Sequence, residues 1–142
     1  HAEGHVIGNH SYTHKSTFGL LSVGSVVQEL TKTNAIIREC VGLSPKFFRP
    51  PFGVTNPMIA KAVARKNLTV IGWSVRSLDT IIPDRTKLLN RVTRSLKGGD
   101  IILSHDYCDA TIAILPDVIN HAAKLGLEIV RVDRLLNEKA YG

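Results

Sequence analysis

Apolar residues recur at helical spacing in several stretches of the chain. In residues 25–41 they form one face, with Ser25 as a cap and Gly42 as a stop, so we predict a helix there. Asn56, a cap residue followed by proline, opens a second predicted helix that runs to about Lys66.

A third helix is predicted from the cap residue Asp84 to the glycine pair that begins at Gly98. Residues 110–125 also have a helical pattern, in which Pro116 either introduces a kink or marks the true first turn. Asp133 is expected to cap a last short helix.

Short apolar runs lie between these helices and read as strands. They are residues 46–49, 68–75, 100–104 and 127–132. The runs at 68–75 and 100–104 suit strands that are buried on both faces. Because helix and strand alternate without a linker, we predict one α/β domain over residues 1–142, built on parallel strands.

The composition agrees with a globular domain. The chain has 142 residues, of which 44% are hydrophobic and 21% charged. No apolar run has the length of a membrane span, and no signal-peptide pattern opens the chain. The first residue is His1 and the single methionine is Met58, so we expect an upstream portion of the protein.

The formal net charge of +6 favours contact with anionic polymers. The basic residues are scattered over predicted helix faces without interleaved aromatic residues, which argues against a nucleic-acid partner. Cys40 and Cys108 suit neither a disulfide framework nor a four-ligand zinc cluster. We expect two buried free thiols, with a single bridge as the alternative.

Residues of catalytic type follow three of the predicted strands. Arg49, Asp79 and His105 stand at or just beyond the ends of these runs. In parallel α/β folds, ligands gather at the carboxyl ends of strands. His10 and His14 are four residues apart, so on one face of a helical turn their imidazoles would converge as metal ligands do.

Each of these residues also has a structural interpretation. Arg49 could be a surface cation stacked on a neighbouring phenylalanine, and Asp79 could cap the turn before Thr80. His105 could be a core histidine with a backbone partner, and Trp73 could belong to the core. The histidine pair could be a chance spacing.

Four ordered motifs carry a family resemblance. They are Gly4-His5 with residues 7–14 (IGNHSYTH), residues 48–53 (FRPPFG), Trp73-Ser74-Val75 with Asp79, and residues 102–106 (ILSHD). In order and spacing they resemble the polysaccharide deacetylases, the NodB-homology or carbohydrate esterase family 4 group. The resemblance implies an irregular (β/α) barrel and removal of N- or O-linked acetyl groups from chitin, peptidoglycan, xylan and related glycans.

The resemblance also implies roles for the metal and the acid. His10 and His14 would bind a divalent metal, with zinc as the first candidate. His105 would be the general acid that protonates the departing sugar nitrogen, and Asp79 would hold its imidazole.

Further roles follow from the same resemblance. Arg49 would position the general base, and a backbone N–H near Phe52, next to Pro51, would stabilise the oxyanion. Trp73 would contact the substrate.

The family's first motif has no counterpart before His10. That motif, an apolar strand ending in Thr-Phe-Asp-Asp, supplies the general base and the third metal ligand. Arg76 and Thr80 also stand where many members have an acidic residue and a tryptophan. We therefore expect either the carboxyl-terminal portion of a longer barrel, incomplete at its N-terminus, or a protein that has lost catalysis. A portion without its first strands would need the missing segment, or a second copy, to pair with the open strand edge.

The leading hypothesis is a metal-dependent hydrolase that deacetylates an N-acetylated polysaccharide outside the cell or in its envelope. The alternatives are a catalytically inactive glycan-binding pseudoenzyme and a basic scaffold for anionic polymers. The leading hypothesis requires His10, His14, Arg49, Asp79 and His105 to face one hollow at the mouth of the barrel.

Overall fold

All 142 residues are described by a computed structural model, in which the chain divides into two compact units. The first unit contains His1–Gly72 and Leu136–Gly142, and the second contains Trp73–Leu135. The prediction of one domain over residues 1–142 stays a prediction. None of the helices combines the length and hydrophobicity that crossing a membrane requires.

Helix α1 (Val23–Val41) begins three residues earlier than the predicted cap allows. Its N-cap is Ser22, whose side chain accepts a hydrogen bond from the Ser25 backbone N–H. The predicted cap was wrong because Ser25 already lies in the first turn. The predicted stop is confirmed, since Gly42 takes a left-handed conformation with φ of 74°.

Helix α2 (Pro57–Arg65) begins as predicted. The Asn56 side chain accepts the Ile59 backbone N–H, and proline occupies the first helical position. Helices α1 and α2 bury their apolar faces in one core, together with a phenylalanine from the turn before α1. The core residues are Phe18, Val26, Leu30, Phe48, Ile59, Ala62 and Val63.

Strands β1 (Phe47–Phe48) and β2 (Thr69–Val70) pair in parallel in the first unit. Asn9 forms a parallel bridge on the other side of β1: its N–H donates to the Phe47 carbonyl, and its carbonyl accepts the Arg49 N–H. The segment that ends at Asn9 therefore runs in the same direction as β1. His10 and Arg49 follow at the carboxyl ends of these neighbouring segments.

The second unit repeats this arrangement. Strands β3 (Val75–Arg76) and β4 (Ile102–Leu103) pair in parallel, and helices α3 (Arg85–Thr93) and α4 (Asp109–Lys124) pack together. Their core contains Val75, Leu88, Val92, Ile114 and Val118. The predicted parallel α/β class is thus confirmed in both units.

Helix ends in the second unit differ in part from the predictions. Asp84 caps α3 as predicted, through the Lys87 N–H, but the helix ends at Thr93 and not at Gly98. Pro116 lies inside α4, beyond its first turn. The last helix, α5, covers Val132–Leu136, so the expected cap residue Asp133 lies in its first turn.

Two strand predictions were wrong. Residues 68–75 do not form one buried strand, because β2 ends at Val70, is exposed, and is separated from β3 by an irregular segment. Residues 127–132 form no strand, since they have no ladder partner and most of their side chains are exposed.

Both cysteines are free thiols, as expected. The expectation that both are buried was wrong, because Cys40 is exposed on α1 and Cys108 is half-buried.

Candidate functional site

The imidazoles of His10 and His14 lie together, with ring centroids 4.8 Å apart and the rings inclined at 61°. The predicted convergence is present, but the predicted helical turn is not. Ser11 and His14 have φ of 68° and 48°, so the segment is an irregular loop with left-handed residues at two positions. Such conformations are costly for residues other than glycine and persist where surrounding contacts fix them.

Asn9 supplies one set of those contacts. Its side chain is buried; Nδ2 donates to the Leu30 carbonyl (2.9 Å) and to Asn34 Oδ1 (2.5 Å). Its Oδ1 accepts the Ser11 N–H at 2.9 Å. The sequence marked Asn9 only as part of the motif over residues 7–14, so its role as the anchor of the histidine loop was missed.

Glu29 on α1 supplies the other set. Its Oε2 accepts three hydrogen bonds, from the Tyr12 N–H (3.0 Å), the Thr13 N–H (2.8 Å) and Thr13 Oγ1 (2.9 Å). Burial raises the pKa of the Glu29 carboxyl, but the hydrogen bonds from Thr13 and Tyr12 outweigh that effect and lower it. An ionised carboxylate therefore holds two of the three residues that connect His10 to His14.

The protonation of His10 follows from its partner. Its Nδ1 lies 2.6 Å from the Arg49 carbonyl oxygen, which can only accept, so Nδ1 carries a proton. In a neutral His10 ring the lone pair is then on Nε2. A backbone carbonyl on the far nitrogen is the usual support of a metal-binding histidine. The pair thus has the donor chemistry of two metal ligands. No group of three or more His, Cys, Asp or Glu side chains that could hold a metal ion is present in the chain.

Arg49 is half-buried and bonded to backbone carbonyls. Its Nε donates to Ile71 O and its Nη2 to Gly72 O, both at 3.1 Å. Burial lowers the pKa of the guanidinium. Arg49 therefore ties the end of β1 to the segment that follows β2.

The proline-rich motif places Phe52 beside the histidines. Phe52 has φ of 56° inside a turn that hydrogen bonds from Gly53 to Pro50 and from Val54 to Pro51 close. The residue is 55% exposed, and its ring centroid lies 4.8 Å from that of His14. Pro51 is buried, so the turn has a fixed base.

In the second unit, Asp79 and His105 form a hydrogen-bonded pair at the ends of β3 and β4. His105 Nδ1 lies 2.8 Å from Asp79 Oδ1. The Asp79 side chain is 1% exposed, whereas the His105 side chain is 36% exposed. His105 is thus no core histidine with a backbone partner: its inner nitrogen meets a carboxylate and part of its ring reaches solvent.

Asp79 is ionised through a network of donors. Burial raises the pKa of its carboxyl, but the hydrogen bonds from His105, Thr111 and Ser77 outweigh burial and lower the pKa to about 2. The Thr80 N–H also donates to Oδ1 at 3.1 Å, so the predicted turn-capping role is present as well. Because the carboxylate can only accept, His105 Nδ1 carries the proton and Nε2 is the second, outer nitrogen.

Thr111, Glu29 and Tyr107 were missed by the sequence analysis. Thr111 Oγ1 donates to Asp79 Oδ2 at 2.7 Å. The Tyr107 ring packs against the His105 ring, with the two ring centroids 5.4 Å apart. No local pattern marks Thr111 or Glu29, since they meet their partners only through the fold. Tyr107 stands two residues after His105, so proximity in sequence was the available signal.

The predicted site residues thus fall into two groups. The first unit holds His10, His14 and Arg49, and the second holds Asp79 and His105. Trp73 is half-buried in the second unit, on the irregular segment before β3. The prediction that the two groups face one hollow stays a prediction.

The parallel strands, with residues of catalytic type at their carboxyl ends, define an α/β protein of enzyme-like architecture. Residues 1–71, half of the 142-residue chain, match the polysaccharide deacetylase family model. The chain belongs to this family.

Relatives extend the similarity beyond residue 71. An uncharacterized protein of Bacillus subtilis strain 168 is 32% identical over 136 residues, which are 96% of this chain and 42% of the relative. The peptidoglycan-N-acetylglucosamine deacetylase of Listeria monocytogenes serotype 1/2a is 30% identical over 137 residues, 96% of this chain and 28% of the relative. The chain therefore spans less than half the length of these curated relatives.

Solved structures have the same fold. The Bc1960 peptidoglycan N-acetylglucosamine deacetylase superposes with a TM-score of 0.91 at 26% identity, covering 98% of this chain and 66% of that one. A carbohydrate esterase family 4 pseudoenzyme from Bacillus anthracis superposes with a TM-score of 0.86 at 31% identity, covering 93% and 46%. The predicted fold class is confirmed by these similarities.

Proposed function

We propose that this chain carries part of the active site of a hydrolase that removes acetyl groups from an N-acetylated polysaccharide. The observation that carries the proposal is the Asp79–His105 pair, a buried ionised carboxylate hydrogen-bonded to a partly exposed imidazole. Peptidoglycan is the first candidate substrate, because several relatives are named for its deacetylation, and chitin- or xylan-type glycans are the others.

In this proposal His105 is the general acid. Asp79 fixes the proton on Nδ1 and the orientation of the ring, so Nε2 is the nitrogen that exchanges a proton with the substrate. In its protonated form, His105 gives the Nε2 proton to the amide nitrogen as the bond to the acetyl carbon breaks. The exposed part of the ring provides access for a polymeric substrate.

The proposed cofactor is a divalent metal, with zinc first, held in part by His10 and His14. When bound, such an ion activates water and polarises a carbonyl. The support is the pair of adjacent imidazoles. The Nδ1–H of His10 donates a hydrogen bond to the Arg49 carbonyl, so the other ring nitrogen is available to a metal. Asn9 and Glu29 would keep the loop in the required conformation.

The remaining proposed roles belong to residues around the histidine pair and to one tryptophan. The Phe52 N–H takes no part in the two hydrogen bonds that close its turn, which suits a donor to a developing oxyanion. Arg49, with a guanidinium fixed by two carbonyls, would position the general base. Pro51 supports the turn, and Trp73 would contact the glycan.

We place this activity outside the cell or in its envelope, because peptidoglycan is a cell-wall polymer and relatives are named for it. The proposed partner is therefore the acetylated glycan itself.

A second candidate function is glycan binding without catalysis. The similarity to a Bacillus anthracis pseudoenzyme of the same family favours it. A mutant of that pseudoenzyme with restored enzymatic activity is equally similar, with a TM-score of 0.85 at 32% identity, so the fold alone does not separate the two functions.

Acetate release by the intact protein tests the proposal. Chitooligosaccharides and N-acetylated peptidoglycan would be incubated with untreated protein, with protein treated with a chelator, and with treated protein to which zinc is returned. We expect release that the chelator abolishes and zinc restores. Chelator-insensitive release would refute the metal role, and glycan binding without release in all three samples would support the pseudoenzyme.

A further inference from the structure

We propose that Thr111 is a positioning residue whose hydroxyl orients the Asp79 carboxylate toward His105. The inference rests on the proposed function of the Asp79–His105 pair and extends it to a residue of helix α4.

The Asp79 carboxylate receives hydrogen bonds on both of its oxygens. Oδ1 accepts from His105 Nδ1 at 2.8 Å and from the Thr80 N–H at 3.1 Å. Oδ2 accepts from the His105 N–H at 2.6 Å and from Thr111 Oγ1 at 2.7 Å. Thr111 is therefore a side-chain donor on the oxygen that does not face the imidazole. Because both oxygens are held, the carboxylate plane cannot rotate away from Nδ1 without breaking a hydrogen bond.

Other helical threonines use their hydroxyls differently. Thr93 Oγ1 donates to the Leu89 carbonyl, and Thr33 Oγ1 donates to the Glu29 carbonyl, both four residues back on the same helix. The Thr111 hydroxyl instead leaves its helix and reaches a carboxylate 32 residues away in sequence. A general helical preference does not produce this contact, so the geometry points to a role at Asp79.

Thr111 also connects the pair to a rigid element. It lies in the first turn of α4, whose buried face includes Ile114 and Val118. Its own side chain is buried, so the hydrogen bond is shielded from competing water.

Other titratable groups surround Asp79. Asp79 lines a hollow of about 330 Å³. The other titratable residues that line this hollow are Arg85, Tyr107, Cys108 and Asp109. A substitution at Thr111 leaves all four in place, so their influence on Asp79 is common to the variants compared.

The test is the titration of Asp79 in the intact protein, measured without substrate by NMR of ¹³C-carboxyl-labelled aspartate. Thr111→Val removes the hydroxyl at nearly constant shape. Losing a donor to the ionised form should raise the Asp79 midpoint by roughly one pH unit. Thr111→Ser keeps the hydroxyl and should retain the original midpoint. Thr93→Val, a matched loss of a buried threonine hydroxyl on α3, should leave it unchanged.

An unchanged Asp79 midpoint in Thr111→Val would overturn the proposal. Equal shifts in the valine and serine variants would also overturn it, since a variant that keeps the hydroxyl would then behave like one that lacks it. If the valine variant does not fold, Thr111→Ala takes its place in the titration. An unchanged Asp79 midpoint in Thr111→Ala, or a shift equal to that of Thr111→Ser, would then overturn the proposal. The titration needs no acetate release, so failure of the proposed deacetylation and failure of this inference are separate results.

Discussion

Replacing Asp79 by asparagine tests whether the carboxylate of the His105 pair is ionised and stabilising. The substitution keeps the size of the side chain but removes its charge. It also places an amide donor among groups that already donate, the His105 and Thr80 N–H groups and the Thr111 hydroxyl. We expect Asp79→Asn to destabilise the second unit at neutral pH.

The magnitude follows from the pKa of Asp79. Its value of about 2, against an ordinary value of 3.8, corresponds to roughly 2 kcal/mol of folding free energy. The side chain is 1% exposed, so solvent screening does not reduce this figure appreciably. Because the folded pKa is depressed, the contribution is present in full above pH 3.8 and is lost as the pH falls through about 2.

The assay is urea unfolding from pH 7 to pH 2, followed by fluorescence of Trp73, the single tryptophan, which lies in the second unit with Asp79. We expect the variant to be less stable than the wild type by roughly 2 kcal/mol at pH 7, with the difference shrinking below about pH 4. Asp106→Asn, at an exposed carboxyl next to His105, is the control and should change little. A difference that is constant with pH would refute the reasoning.

Three further predictions concern the histidine loop and the cysteines. Glu29→Ala should weaken zinc binding by at least about tenfold in calorimetry, as loss of a supporting contact does in metal sites. Glu29→Gln retains an acceptor and should weaken zinc binding less. Equal affinities of the wild type and Glu29→Ala for zinc would contradict the role of Glu29. Asn9→Ala should lower the free energy of unfolding by about 2–4 kcal/mol, because the Leu30 carbonyl and the Asn34 side chain lose their partner. A change under about 0.5 kcal/mol would contradict the role of Asn9 as the anchor of the histidine loop. Cys40, which is exposed, should be alkylated faster than Cys108, whose pKa is raised by burial and by nearby carboxylates led by Asp79. Mass spectrometry of partly labelled protein measures the order, and faster labelling of Cys108 would contradict the prediction.

Helices were predictable from sequence because their signals are local. The caps Asn56 and Asp84 and the stop Gly42 act within one turn of themselves, and all three are where the pattern placed them. Strand extents were less predictable, since a strand exists only where another segment pairs with it. Residues 127–132 are as apolar as a strand requires but have no ladder partner.

The residues of the candidate site were predictable from the sequence, but the contacts that hold them in place were not. The spacing of His10 and His14 identified one pair that lies in contact, and the family resemblance identified the other, Asp79 and His105. Neither identified what holds them, because Glu29 and Thr111 reach their partners from helices distant in sequence. The conformation of the histidine loop was wrong for a related reason: long-range hydrogen bonds at Asn9 and Glu29, and not local helical preference, set its backbone.

The most direct test of the account is acetate release from an N-acetylglucosamine polymer by the intact protein and by its His105→Asn variant at matched metal content. If His105 is the general acid, the substitution should lower the rate by at least about a hundredfold while glycan binding persists. Equal rates for the two proteins would contradict the account.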